Sequence, residues 1–591
     1  MTKPAKSDIG AIAIIISALA LAIFSARSDS VTTDESPHIT AGYSYLTQRD
    51  MRLNPEHPPL VKDLAALPLL FQKINLDTEH YSWKNDVNGQ WTAGSHFLYE
   101  SGNNPDKIAF AARGAVMALF VLLSWLVYRW GREKYGAATG LLALILTALS
   151  PNIIAHGRYV TTDVGATFAF VLAIYFFVKY INNPSGKYLA YAGLAFGLAQ
   201  LIKFSLFLLV PFYIFITTAL FFIKPSWPNL VRSVKSLLII FVIGYLLVWP
   251  VYQFHIWNYP TERQKQDIEF TLRSYPFRPA ADVVLWMADK PLLRPYAQYG
   301  LGLLMVFQRA GGGNTTYFMG EVSSTAWKNY FPSVYVLKEP IPILALVFFS
   351  ALLAIQKTIR GVIKRRGAGW FRNIISGASG WIINNQTEFV WLSFIIFYWA
   401  TSINGNLNIG LRHVLPTFPF IYLLTAGQIK KWTAGESLIS ARPVKLFLVA
   451  VLVLWLTVET VATYPHYLAY FNELAGGPAN GYKYAADSNL DWGQDLKRLS
   501  RYVEENKIGK IKLDYFGGSK PEYYLGSKYE KLDAGNPSQR HGWLAVSATL
   551  LQGGRARATK GFDQNTSYYR WLDNYEPATR IGYSIFVYKL E

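Results

Sequence analysis

Four polar clusters stand out against an otherwise apolar chain. Asp34 and Glu35 are adjacent, so on a regular helix or strand their side chains point in different directions. One can face a substrate while the other orients a partner. His38 follows, then the run RDMRLNPEHPPLVKDLAALPLL (49–70). There Pro55, Pro58 and Pro59 restrict the backbone and set Glu56 and His57 in a rigid turn. Lys62 and Asp63 open an amphipathic stretch whose Leu64, Leu67 and Leu70 suit a membrane interface. SPNIIAHGRYVTTD (150–163) gathers His156, Arg158 and Asp163, and NIGLRHVLPTFPF (408–420) carries Arg412 and His413. Carboxylates and imidazoles move protons, and guanidinium groups bind oxyanions through two parallel donors. A further stretch, DSNLDWGQDLK (487–497), holds Asp487, Asp491 and Trp492. Acidic groups beside an indole suit carbohydrate binding or a calcium site with oxygen ligands. A helix cap at Ser488 or Asp491, with Trp492 packed on a neighbouring domain, accounts for the same residues.

The elements that position these clusters follow from composition and hydropathy. The chain has 591 residues, 51% of them hydrophobic and 16% charged; soluble chains carry roughly 25% charged residues. A simple soluble enzyme and a disordered chain are excluded. The absence of cysteine excludes disulfides, a thiol nucleophile and cysteine-ligated metal. About eleven stretches have the length and apolarity to cross a bilayer: near 9–24, 109–128, 137–153, 164–181, 188–203, 205–223, 236–254, 340–357, 388–403, 410–428 and 445–463. The first has a short basic flank, Lys3 and Lys6, but no clear cleavage pattern follows it, so a retained helix is expected.

With the N-terminus inside, every basic cluster between stretches falls on the inner side. These are Arg129, Arg132 and Lys134; Lys179 and Lys187; Lys224, Arg232 and Lys235; Lys357, Arg360, Lys364, Arg365, Arg366 and Arg372; and Lys430, Lys431, Arg442 and Lys445. This distribution explains much of the net charge of +19 through lipid headgroups and without nucleic acid. It leaves outside the segments 27–108, 255–338 and 464–591, and with them all the polar clusters. The expected fold is an α-helical polytopic membrane protein with a small soluble α/β domain at the C-terminus. The membrane domain covers 1–463, including the outer loops 27–108 and 255–338, and the second domain covers 464–591. In that domain KIKLDYFG (510–517), GWLAVSATLL (542–551) and YSIFVYKL (583–590) have strand composition, and DLKRLSRYVEENK (495–507) that of a helix. The run GGGNTT (311–316) lacks the lysine and the strand–helix setting of a phosphate-binding loop.

One combination of motifs resembles a known family. An early Asp-Glu, a later Pro-Pro-Leu turn, an Asp in the second outer loop and an outer RHxLPxFPF together look like the GT-C membrane glycosyltransferases. The likeness is strongest to protein O-mannosyltransferases and lipid A aminoarabinose transferases. The stretch YPHYLAYFNELAGGPANGYKYAADSNLDWGQDLKRL (464–499) resembles a segment of bacterial members. The resemblance implies transfer of a sugar, with inversion, from a polyprenyl-phosphate carrier to an acceptor on the outer face of a bacterial cytoplasmic membrane. It implies Asp34 as base, Glu35 orienting the loop or the acceptor, and Asp163 binding the acceptor or holding Arg158. Arg158, Arg412 and His413 become candidates for the carrier phosphate.

Glu56-His57-Pro58-Pro59-Leu60 resembles the Glu-Lys-Pro-Pro-Leu turn of the aminoarabinose transferases. His57 stands where those enzymes have the phosphate-binding lysine, and Lys62 is the substitute nearest in sequence. Their glutamate can hold a divalent metal with a distant histidine, which here would be Glu56 with His255. Zinc, magnesium or manganese is the cofactor so implied, though the mannosyltransferase likeness requires none. Asp487, Asp491 and Trp492 would meet the acceptor or the sugar. Expected partners are the carrier-linked sugar, a protein, lipid or glycan acceptor, and membrane lipids, with no nucleic acid. The alternative reading is a polytopic transporter or lipid flippase. That class places its charges near the membrane midplane, often with repeat symmetry, and neither feature is visible here. A non-catalytic receptor would leave the outer acidic residues dispensable.

Overall fold

The computed structural model describes residues 6–363, 370–435 and 441–591. Of the basic clusters, Lys3, Lys364, Arg365, Arg366 and the side chain of Arg372 lie outside the described residues. Seven described helices are long and apolar enough to cross a membrane: Lys6–Ala26, Pro105–Tyr135, Asp163–Asn182, Phe204–Ile223, Trp227–His255, Ile341–Gly361 and Arg442–Ala462. The chain is a multi-pass membrane protein. The remaining apolar stretches form shorter or broken helices. The 137–153 stretch divides into Ala137–Ala148 and Pro151–His156, because Ser150 precedes a proline and is extended. The 410–428 stretch begins as a tight turn over Leu411–Thr417, with Pro416 inside it, before the helix Phe418–Ala434. Gly186–Gln200 and Gln386–Asn404 account for the other two.

Two close approaches set the helix geometry around the polar clusters. A Cβ on Gly244 would stand 2.3 Å from the Phe196 ring, and one on Gly197 would stand 2.8 Å from Gly244 Cα. Gly186–Gln200 and Trp227–His255 therefore meet backbone to backbone, as small residues allow between membrane helices. A Cβ on Gly42 would lie 2.2 Å from Lys62 O, so the helix Glu35–Gln48 is pressed directly onto the segment Leu60–Ala66. The turn that follows, Leu67–Phe71, leaves Leu67, Leu70 and Phe71 exposed, Phe71 by 91%. Their apolar surface matches the expected interfacial stretch, while Leu64 is half-buried. Pro105–Tyr135 has 31 residues, about 46 Å at 1.5 Å per residue, and outruns a hydrocarbon core of about 30 Å. Asn104 caps it by accepting from Lys107 N at 3.0 Å. Its first turns therefore stand beside the outer loop and carry Arg113 there.

Among the described residues eight strands complete the fold: β1 (Thr316–Phe318), β2 (Glu321–Ser323), β3 (Ile511–Asp514), β4 (Tyr529–Lys531), β5 (Gly542–Ser547), β6 (Arg557–Ala558), β7 (Thr579–Ile581) and β8 (Ile585–Leu590). Five form a sheet in the order β4-β3-β5-β8-β7, with β3 parallel to both β4 and β5. The helix Leu496–Glu505 covers it through Leu499 and Val503. The expected strand over 542–551 ends at Ser547, and Ala548–Gly553 is helical. The other three strands, in the order β1-β2-β6, join the outer segment 255–338 to the C-terminal domain. GGGNTT is the passage into this sheet: Gly312 ends a helix, Gly313 has φ 80° and Thr316 opens β1.

Candidate active site

The segments 27–108 and 255–338 and the C-terminal domain contribute to the wall of a cavity of about 820 Å³. Asp34, Glu56, His57, Arg412, His413, Asp487 and Trp492 line it, drawn from all the polar clusters but 150–163, which contributes Thr161 and Thr162. One flank is apolar: Phe207 and Leu208 face Met305, Val306 and Phe307.

Asp34 opens the helix Glu35–Gln48 and accepts from Arg412 Nη1 at 2.7 Å. The same guanidinium nitrogen lies 3.4 Å from Asp163 Oδ2, and Lys203 Nζ donates to Asp163 Oδ1 at 2.6 Å. Asp163 itself is buried behind this chain of charges; it holds the two cations, and Lys203 reaches the cavity. Three buried nitrogen atoms of cavity residues have no protein hydrogen-bond partner among the described residues: Arg412 Nε, His413 Nε2 and His57 Nδ1. Buried polar atoms are nearly always paired, so these orphans mark a place for a polar ligand. Burial lowers the pKa of His57 well below the usual imidazole range, with His38 and Lys62 adding to the effect. His38, its edge-on neighbour at 5.0 Å, is lowered by burial to about 4. Burial thus favours the neutral form of both rings, which carries a single N–H group. Burial raises Asp487 to about 6 against the opposing charge of Arg412.

Other expected site residues stand elsewhere. Glu35 is fully buried and outside the cavity wall. Its carboxylate accepts from Arg113 Nε at 2.8 Å, Arg113 Nη2 at 2.7 Å, Val160 N at 3.0 Å and Thr32 N at 2.9 Å. It orients the loop. Arg158, expected at a phosphate, pairs with Asp29 at 3.0 Å instead and does not line the cavity. Burial pushes the Asp29 carboxyl up, but Arg158, Arg498 and Arg113 outweigh it and hold its pKa below the usual range. Lys62, the expected substitute for a phosphate-binding lysine, is buried beneath the turn. Its Nζ donates to Tyr45 Oη, Asn54 O and His57 O at 2.8–2.9 Å. Burial lowers its pKa to about 7, against the pull of Asp63 and Glu56. Lys62 clasps the turn that aims His57.

The two residues of the expected metal pair have different partners in the structure. Glu56 faces the cavity and accepts from Gln90 Nε2 at 2.9 Å, whereas His255 is held by Asp63 at 3.0 Å and by Val251 O at 2.6 Å, outside the wall. Among the described residues no three His, Asp or Glu converge in a way that could hold a metal ion. Asp491 does not line the cavity, although Trp492 and Thr549 beside it do. Thr549 N donates to it at 2.9 Å, and burial raises it to about 8.

Two cavity cations escaped the sequence reading. Lys203 sits at the junction between two apolar stretches, on the side the charge pattern places outside. An isolated lysine in such a run is itself a signal. Arg309, near the end of the helix Arg294–Gly312, has no comparable mark.

Residues 106–254 match the family model described as dolichyl-phosphate-mannose-protein mannosyltransferase. No curated protein matches the chain in sequence. Among solved structures, the protein O-mannosyltransferase Pmt1–Pmt2 complex of S. cerevisiae, bound to the sugar donor, is similar with a TM-score of 0.55 at 12% identity, over 79% of this chain and 90% of that one. ArnT from Cupriavidus metallidurans, bound to undecaprenyl phosphate, gives 0.42 at 10% identity over 99% and 98%. The archaeal oligosaccharyltransferase AglB from Archaeoglobus fulgidus gives 0.41 at 12% over 91% and 71%. The first of these likenesses shows the fold. By that likeness the chain has the fold of a protein O-mannosyltransferase, and residues 106–254 carry the mannosyltransferase pattern.

Proposed function

We propose that the chain is an inverting glycosyltransferase that moves a sugar from a polyprenyl-phosphate carrier to an acceptor hydroxyl. The reaction takes place at the outer face of a bacterial cytoplasmic membrane, with the N-terminus inside and the C-terminus outside. One observation carries the reading: a part-exposed carboxylate, Asp34, shares a cavity with Arg412, Lys203 and Arg309, with orphaned buried nitrogens and with an apolar flank. A lipid-linked phosphate needs such a set of groups, a cationic patch for its head and an apolar wall for its tail.

The acceptor hydroxyl loses its proton to the Asp34 carboxylate as its oxygen attacks the anomeric carbon. The bond from that carbon to the phosphate oxygen breaks, and the electron pair leaves with the phosphate. Arg412 and Lys203 neutralise the departing charge, helped by Arg309 and by the N–H groups of His57 and His413. A single displacement inverts the anomeric centre. The acceptor enters against the C-terminal domain. Phe516 and Thr549, just past the C-terminal ends of the parallel strands β3 and β5, line the cavity, the edge where α/β sheets bind ligands.

The test compares glycans and glycolipids by mass spectrometry in cells carrying wild-type protein or Asp34→Asn. One sugar should vanish from one acceptor while its carrier-linked form accumulates. Transfer by purified Asp34→Asn at the wild-type rate would sink the assignment of the base. An unchanged profile on deleting the whole protein would sink the reaction.

A further inference from the structure

From sequence alone DSNLDWGQDLK has three readings: sugar binding, cation ligation and packing. In the structure Trp492 packs onto the membrane domain, as the third reading expects, and it does so against the site itself. The Trp492 indole is 1% exposed. Arg412 Cζ lies 4.2 Å above its ring, and its edges meet His156 and Tyr159 at centroid distances of 5.9 and 6.2 Å. Its carbonyl oxygen accepts from Thr33 N at 3.0 Å and from Thr33 Oγ1 at 3.4 Å, one residue before Asp34. The loop that presents it is itself fastened. Gln494 Oε1 accepts from Trp492 N at 2.8 Å, Gln494 O accepts from Ser30 N at 2.9 Å, and Ser30 Oγ accepts from Lys497 N at 2.8 Å.

One residue thus grips both members of the Asp34–Arg412 pair. Its backbone holds the turn that carries the carboxylate, and its ring sets the plane of the guanidinium. That plane matters because Arg412 has two carboxylates within reach, Asp34 at 2.7 Å and Asp163 at 3.4 Å, and an unpartnered Nε. An aromatic face under a guanidinium restricts its rotation while adding cation–π attraction. Without the ring, Arg412 is free to turn toward Asp163 and Lys203.

We propose that Trp492 is a positioning residue for the Asp34–Arg412 pair, so that the segment following the last membrane helix completes the catalytic centre. This rests on the glycosyl-transfer reading above.

The test is a double-mutant cycle on the full-length protein in detergent or proteoliposomes, using Trp492→Leu, Trp492→Phe and Arg412→Gln. Trp492→Leu should lower kcat about 10-fold or more while each KM stays within about twofold; Trp492→Phe, which keeps an aromatic face, should retain about a third of kcat or more. In the Arg412→Gln background, Trp492→Leu should cost less than about threefold, because a residue acting through Arg412 has nothing left to position. An equal factor in both backgrounds overturns the proposal, as does a Trp492→Phe variant no better than Trp492→Leu. Thermal unfolding of the same proteins gives an arm independent of activity. The Tm losses of Trp492→Leu and Arg412→Gln should be less than additive, and additive losses overturn the coupling. If wild-type protein transfers no sugar from any polyprenyl-phosphate donor, the functional reading fails, and the thermal cycle alone decides whether the two side chains act as a unit.

Discussion

Asp34 and Glu35 are neighbours with opposite fates. Glu35 is 0% exposed and its carboxylate is saturated by Arg113 and two backbone amides. The Asp34 side chain is 26% exposed and faces a cavity, held on one edge by Arg412. The first is a latch for the loop over residues 26–35: Arg113 also donates to Ala26 O at 2.9 Å and to Ser30 O at 2.7 Å. The second keeps room for a ligand. The same contrast separates Arg158, closed onto Asp29 away from the cavity wall, from Arg412, which lines it; the Nε of each has no partner among the described residues. In this protein, saturation marks charges that hold the fold, and incomplete pairing beside a cavity marks charges available to a ligand.

The contrast can be broken by experiment. Asp34→Asn should reduce transfer about a thousandfold, within the range for losing a general base, with the Tm within a few degrees of wild type; single-turnover assays and a melting curve check both halves. A Tm collapse would place Asp34 with the latches. Glu35→Gln should do the reverse. It leaves Arg113 buried with half its compensation, a change that costs about 3–5 kcal/mol in comparable buried pairs and is read as lost yield and lowered Tm. Normal stability with absent transfer would move Glu35 into the reaction. Lys203→Met should lower kcat/KM for the donor about 10- to 100-fold, and an effect under twofold would show that Asp163, not the cavity, is the purpose of that lysine.

A pH dependence of stability is expected as well. Burial raises folded Asp491 to about 8, above the unfolded value of about 3.9, so the folded state keeps a proton that the unfolded state releases. Its contribution to stability is fully present below about pH 4 and is lost as pH rises toward 8. The Tm advantage of wild type over Asp491→Asn should shrink across pH 5–8.5, and a constant difference would contradict the assignment.

Much of this geometry was legible because hydropathy and basic residues order the chain across a membrane. Once the loops are sorted by side, Asp34, His57, Arg412, His413 and Asp487 fall on one face, and they meet in one cavity. What sequence position does not encode is side-chain direction. Lys62 lies five residues from His57 yet turns inward to its carbonyl. Arg158 is five residues from Asp163 and pairs with Asp29 across the loop. The pairing of β2 with β6 joins residues more than 200 positions apart, and no local pattern announces it. Arg113 had a signal, an arginine inside an apolar run, which the spacing of the outer clusters did not draw on.

The exposed turn Leu67–Phe71 gives the protein a float line. Its apolar side chains seek the boundary between headgroups and acyl chains. The same segment runs back through Leu60–Ala66, whose Lys62 carbonyl is pressed against Gly42 of the helix that Asp34 opens. Immersion depth and carboxylate height are therefore set by one stiff piece of backbone. A long lipid carrier presents its phosphate at the level its own bilayer dictates. For the proposed lipid-linked donor, the turn brings the reacting groups to that level without reference to the distant ends of the membrane helices.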